Sequence, residues 1–260
     1  MIVGGIVLLV VAVGAMVWNR ITNKRLKAMA GAETVGCADL ASLRDAAVEA
    51  AGPGAFNYVC EVTGETEAGD DGLLTSELSK TECIWHRHVV RRKYEDVTTD
   101  SQGRRQRTTR TETVAELTSS AQFHVRDSSG RVLVDPAGVV PDRAEQVVNR
   151  FEPRPPGSSG AFNVSLFGIT LSGNGHDSTL GYEYEEWVVR PGRRLYVLGE
   201  ASDRSGRLVM GKPSKGPYVL STRSEEELVG HARTQQRLAA IGAALAGVAG
   251  VVLLVAGLIA

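Results

Sequence analysis

The chain has 260 residues, 23% of them charged and 43% hydrophobic, with a formal net charge of -1. A balance this close to neutral leaves no basic footprint for nucleic acid as the main partner. The cysteines, Cys37, Cys60 and Cys83, are odd in number and lack framework spacing, which fits a reducing compartment and excludes a disulfide scaffold.

Ile2 to Trp18 carries no charged residue. At 1.5 Å per residue this run reaches about 26 Å, a short membrane span. The rival reading, a cleaved signal peptide, needs a basic segment before the apolar core, and none is present. Arg20, Lys24, Arg25 and Lys27 also separate the core from the small residues Ala28-Met29-Ala30. Residues 1–19 are therefore expected to be an uncleaved transmembrane anchor. Residues 20–56 follow as a basic juxtamembrane segment and one short helix. That helix is expected over Ala38 to Ala51, with Asp39 as N-cap and Leu40, Leu43, Ala47 and Ala51 on its packed face. Gly52-Pro53-Gly54 stops it.

From residue 57 the pattern turns to strands. Tyr58 to Gly64 is short and ends in glycine. Ile84 to Val97 and Arg105 to Leu117 flank a polar turn and read as a long hairpin. Ala121 to Val125 and Arg131 to Val134 flank Asp127-Ser128-Ser129-Gly130, a second hairpin with good turn chemistry. Residues 152–160 form a Pro/Gly/Ser loop. Strands resume at Phe162 to Leu171, Tyr182 to Val189, Leu195 to Ala201, Leu208 to Met210 and Tyr218 to Ser221. About ten short strands and one helix predict a mainly β (α+β) single domain over 57–223, barrel- or sandwich-like, flanked by two transmembrane α-helices.

The last segment, 224–260, opens with the capping box Ser224-Glu225-Glu226-Glu227 and becomes a second span, because Leu238 to Ala260 has no charged residue. Basic residues next to both spans lie on the central side, so the positive-inside rule places the central domain in the cytoplasm. Ala, Gly and Val are abundant and Arg far outnumbers Lys, a composition that suggests a GC-rich prokaryotic genome. The expected location is thus a bacterial or archaeal plasma membrane.

Several segments resemble one family. Thr75, Ser76 and Leu78, followed by Cys83 and Trp85 and then Arg91-Arg92, are similar to its "LTSPLSG…C-x-W…ERR" core. Gly181, Tyr182, Tyr184 and Glu186, then Pro191-Gly192, then Tyr196 and Gly199, resemble its "GYRYTE…PG…LYVLG" segment. Gly216-Pro217 and Glu226-Glu227 resemble its "GPFFIS…SEEEL" ending. The family is the GIDE, or "beside a membrane", domain of the mitochondrial membrane-anchored E3 ubiquitin ligases and their shorter prokaryotic relatives. The resemblance implies a membrane-flanked β domain linked to ubiquitin transfer. In those ligases a RING finger after the second span recruits the charged partner enzyme, and a RING needs eight Cys/His ligands around two zincs. Here no cysteine follows Cys83, so a chain without a RING is expected.

No catalytic set stands out. Ser76 and Ser79 with His86 lack a G-x-S-x-G elbow. Glu183 and Glu185 are expected to face out from their strand while Tyr182 and Tyr184 face in. Cys83, His86 and His88 form the one cluster with ligand chemistry, but 86 and 88 share a strand face that 83 does not, so the bland reading is a buried thiol and two polar surface residues, with no metal or other cofactor. Arg91, Arg92, Arg104, Arg105, Arg107 and Arg110 flank the long hairpin's turn. They could meet anionic lipid or an acidic partner, or form a solvated, charge-protected edge. The leading expectation is a non-catalytic membrane-anchored scaffold that binds a protein partner or itself. The alternative is an E3 ubiquitin transferase needing a RING partner in trans.

Overall fold

The computed structural model describes residues 32–99, 102–154, 162–166, 169–173 and 178–223, together with Gly14. The expected spans at 2–18 and 238–260, the basic segment 20–30 and the capping box at Ser224 lie outside the described residues. Among the described residues no helix is long and apolar enough to cross a membrane.

The elements are α1 (Cys37–Ala51), then β1 (Asn57–Glu67), β2 (Leu74–Thr75), β3 (Glu82–Cys83), β4 (Trp85–Thr99), β5 (Arg105–Thr118), β6 (Phe123–Arg126), β7 (Arg131–Val134), β8 (Glu145–Pro153), β9 (Phe162–Leu166), β10 (Ile169–Gly173), β11 (Thr179–Val189), β12 (Arg194–Ser202), β13 (Val209–Gly211) and β14 (Val219–Ser221). Five of them close into a barrel in the order β1-β6-β7-β13-β12, with β12 pairing back to β1 from Asn57↔Ser202 to Glu65↔Arg194. Every pairing in it is antiparallel except β7–β13. β14 adds to β12 outside the ring. This is a five-stranded Greek-key barrel of the OB type. Its filling is Cys60, Val62, Phe123, Val125, Val132, Val134, Leu195, Val197, Ala201 and Met210, the inward members of alternating strands.

A second sheet, β5-β4-β11-β8, is antiparallel throughout. It grows out of the barrel: Trp85 and Val189 face each other at its root, both buried in the barrel core. β11 pairs with β4 only as far as Thr179↔Tyr94. The Glu95 amide still donates to the Ser178 carbonyl at 2.8 Å, and beyond it residues 96–99 and 105–108 run on as a two-stranded ribbon. β2–β3 and β9–β10 are small separate hairpins, and β10 approaches β5.

Four expectations need correction. Tyr58 to Gly64 is part of an eleven-residue strand, because Gly64 does not end it. A Cβ there would lie 2.2 Å from the Arg126 carbonyl oxygen, so glycine is what lets β1 and β6 approach and the barrel close. Strand β8 was not foreseen and enters the expected 152–160 loop as far as Pro153, which an edge strand tolerates. The single strand expected over 162–171 is two, β9 and β10. With β2 and β3 the described residues hold fourteen strands rather than about ten.

The fourth concerns the helix. Asp39 does not cap α1: Gly36 occupies the N-cap position and makes no side-chain cap. The amides of Cys37 and Ala38 instead donate to Asp127 Oδ2 at 2.8 Å and Ser129 Oγ at 3.0 Å, both from the β6–β7 turn. Leu40 is fully buried and Ala47 packs half-buried against the barrel core, as expected, but Leu43 is 45% exposed and Ala51 is exposed.

Candidate interaction surface

Three sets of residues outside the barrel core carry the chemistry. The first is the outer face of β12. Tyr196 and Leu198 point away from the barrel, yet both are buried, because Ala32 and Val219 pack on them. The segment entering the domain also bridges β1 at Thr34↔Glu61, with Val35 N donating to the Glu61 carbonyl at 2.9 Å. The Glu61 carboxylate, buried on this outer face, accepts from the Thr34 hydroxyl and, at 2.5 Å, from Tyr196 Oη. Beside it Tyr58 Oη donates to Glu33 Oε2 at 2.6 Å. Chain entry and chain exit thus share one side of the barrel.

The second set centres on Glu186. Cross-strand pairing puts it opposite His88 on β4, on the face that also carries His86, Val90, Tyr184 and Val188. The loop 76–81 folds over this face. Glu186 is fully buried and accepts from Leu78 N at 2.7 Å, Ser79 N at 2.8 Å and Ser76 Oγ at 3.1 Å. Ser76 Oγ also receives Thr81 N at 3.0 Å, so the loop is tied to itself and to the sheet. Leu78 then packs on Val90 and Tyr184. Burial pushes the Glu186 carboxyl up, but the donors from Ser79, Leu78 and Ser76 outweigh it and hold it below its usual range.

His86 and His88 are buried, 6% and 4% exposed, and not the surface residues expected. The loop over them is the reason. Nδ1 of each ring is buried without a hydrogen-bond partner. Burial lowers the pKa of both imidazoles more than Glu186 and Glu77 raise it. Cys83 sits on β3, opposite Leu74, and among the described residues no group of three or more His, Cys, Asp or Glu is placed to hold a metal ion. Burial drives all three thiols up: Cys37 and Cys60 to about 12 and Cys83 to about 11. As thiols rather than thiolates they are poor nucleophiles at neutral pH.

The third set is the hairpin β4–β5. Its arginines do not converge on one patch. Arg92 and Arg110 lie on one face, Arg91, Arg105 and Arg107 on the other. Carboxylates meet four of the six: Arg91 with Glu185, Arg92 with Glu112 at 3.0 Å, Arg107 with Glu95 at 3.4 Å and Arg110 with Asp96 at 2.8 Å. Arg104 bonds to Gln102, and Arg105 is exposed at the start of β5. Glu183 follows the same rule, pairing with Lys93 at 3.7 Å.

The family model for GIDE, described as E3 Ubiquitin ligase, matches residues 94–256, more than half of the chain. The chain belongs to the GIDE family. No curated protein and no solved structure matches it. The motif residues, of which those from Thr75 to Arg92 precede the matched range, have structural roles. Thr75 pairs with Glu82 across β2–β3, and Ser76 and Leu78 are tied to Glu186. Trp85 fills the barrel root, while Tyr182 and Tyr184 line the face that Leu78 covers. Gly181 lies where a Cβ would be 2.3 Å from the Glu152 carbonyl oxygen, and Gly199 where one would be 2.6 Å from that of Gly211. Pro191-Gly192 turns β11 into β12 and Gly216-Pro217 leads into β14, whereas Glu226 and Glu227 lie outside the described residues. Glu186 stands among the motif residues of the sequence, but its role as a buried acceptor could not be read from that place. The donors it holds are more than a hundred residues away in sequence, and no local pattern points to them.

Proposed function

We propose that this GIDE chain is a membrane-anchored binding and scaffold module that holds a protein partner beside the bilayer and does not itself catalyse transfer. The observation that carries it is the shared packing of Ala32 and Val219 on Tyr196 and Leu198. The described chain thus begins and ends on one side of the barrel, an arrangement compatible with two apolar anchors in one bilayer. The hairpin β4–β5 is the contact surface, presenting paired charges on an exposed ribbon to a protein or to anionic lipid headgroups. The membrane is the plasma membrane of a bacterium or archaeon, with the domain in the cytoplasm.

The test is fractionation of the full chain expressed in a bacterium. Retention in the pellet after an alkaline carbonate wash, with the 57–223 domain digested by protease only after the cells are opened, is the expected result. Release by carbonate, or digestion in intact cells, would sink the anchored or the cytoplasmic part of the reading. Arg104→Glu with Arg105→Glu should weaken partner or anionic-liposome binding, and unchanged binding would count against the hairpin as the contact surface.

A second reading rests on the family description, E3 Ubiquitin ligase. In that case the chain would supply membrane placement and partner binding while a separate RING subunit carries the transfer. The buried, high-pKa thiols favour a partner over this chain as the source of any transfer chemistry.

A further inference from the structure

β5 ends the second sheet, and among the described residues no strand is hydrogen-bonded to its outer side. It is fourteen residues long and exposed along nearly its whole length. An edge of this kind offers a row of free amides and carbonyls to any strand that fits. The other edge, β8, is poorer: it carries Pro153 and a bulge between the partners of Glu186 and Trp187.

The charges on β5 are divided by sign. Arg105, Arg107 and Arg110 precede its middle, and Glu112 and Glu116 follow. We propose that β5 pairs antiparallel with β5 of a second copy about a two-fold axis through Thr111. In that register Thr111 faces itself, and Arg110 faces Glu112 of the second copy twice by symmetry. Both residues lie on the sheet face that carries Arg92 and Tyr94. Within each copy Arg92 already meets Glu112 at 3.0 Å and Asp96 meets Arg110 at 2.8 Å. Dimerisation joins these pairs into two rows, Arg92–Glu112–Arg110–Asp96, in which charges alternate across four strands. On the opposite face Thr109 meets Thr113, a favourable cross-strand pair. Parallel, in-register pairing would set arginine against arginine and is disfavoured by the same rule. The bulge between the partners of Val90 and Arg91, at Val114, ends the regular ladder, so the interface is short and centred on 109–113. The inference requires neither membrane anchoring nor any enzymatic activity.

The experiment uses the full chain in detergent, with Thr111→Cys introduced and a mild oxidant added. Self-opposed strand positions have Cα atoms about 4.5–5.5 Å apart, within disulfide reach, while Cys37, Cys60 and Cys83 are buried. A disulfide dimer is expected with Thr111→Cys and none with Gln106→Cys, which the two-fold moves well away from its own copy. Adding Arg110→Glu, or Glu112→Arg, should each reduce linking at least tenfold by placing like charges opposite each other. Mixing those two variants should restore linking as a heterodimer, a rescue that misfolded chains could not show. Equal linking at 106 and 111, or linking indifferent to both charge reversals, overturns the proposal. So does a monomer that fails to link at 111, which would mean that the β9–β10 hairpin or another part of the chain covers the edge.

Discussion

The barrel and the outer half of the β4–β5 hairpin are both antiparallel β-structure, but different forces hold them. In the barrel each strand buries its inward side chains completely: Cys60, Val62, Leu195 and Val197 are all 0% exposed. β12 is buried on both faces, because the chain's own entry and exit segments cover its outer side. Among the described residues of the hairpin beyond Tyr94 no apolar side chain is buried, and Val97 stands 49% exposed among charged and threonine neighbours. What holds that ribbon is its backbone ladder and ion pairs such as Arg107–Glu95 and Arg110–Asp96. Burial is worth about 1.5–3 kcal/mol per large side chain, exposed ion pairs about 0–1. The contrast teaches that one continuous strand, β4, changes its means of support along its length, from a packed root at Trp85 to a solvated tip.

Substitutions can break that contrast. The largest effect is expected at the root. Trp85→Ala should cost about 3–5 kcal/mol, enough to unfold much of the population, while Val97→Ala should stay within about 0.5 kcal/mol. Urea unfolding of both variants measures the gap, and similar midpoints would refute it. Next is the tie between loop and sheet. Glu186→Leu leaves the buried amides of Leu78 and Ser79 without an acceptor and should cost roughly 1–3 kcal/mol. Hydrogen exchange should quicken at 76–81 before the barrel responds, and uniform exchange would show that the loop is not a separate unit.

The same site sets a pH dependence. His86 and His88 have folded pKa values below the unfolded value of about 6.5, and Glu186 lies below its own of about 4.3. In all three cases the unfolded chain binds protons that the folded chain refuses. Their contribution is therefore complete above about pH 6.5 and falls as the pH drops, first through the histidines and then through Glu186. Urea midpoints from pH 8 to 5 should decline, and His86→Gln with His88→Gln should flatten the part of the slope near pH 6. A wild-type midpoint that rises on acidification would reverse the assignment. The smallest effect belongs to the ribbon. Arg107→Gln should cost at most about 1 kcal/mol and lose even that at high salt. A larger, salt-independent cost would mean that Arg107 is packed rather than solvated.

Much of this division was legible in the sequence. The long hairpin, the second hairpin at Asp127-Ser128-Ser129-Gly130 and the run from Leu195 to Ala201 came from period-two alternation and turn chemistry, both local properties. The family came from the order of motif residues, and the match over 94–256 agrees with it. β8 was not legible, because Glu145 to Pro153 is an edge strand of mostly exposed side chains, and exposure on both faces erases the alternation that signals a strand. The burial of His86 and His88 was missed for a related reason: they are covered by a loop, not by a second hydrophobic strand.

The sequence by itself determined the β-rich class, most strand positions, the family and the two apolar terminal runs, because each is written in spacing or composition along a contiguous stretch. Only the tertiary structure decided that β12 closes the barrel against β1, and that Asp127 and Ser129 cap a helix some ninety residues earlier. It also decided that Glu186 is an acceptor for a loop more than a hundred residues away. The physical reason is the same in each case. A buried polar group must find its partner wherever the fold brings one within hydrogen-bond distance, and that meeting is a property of the closed barrel and its sheet, not of any window of residues.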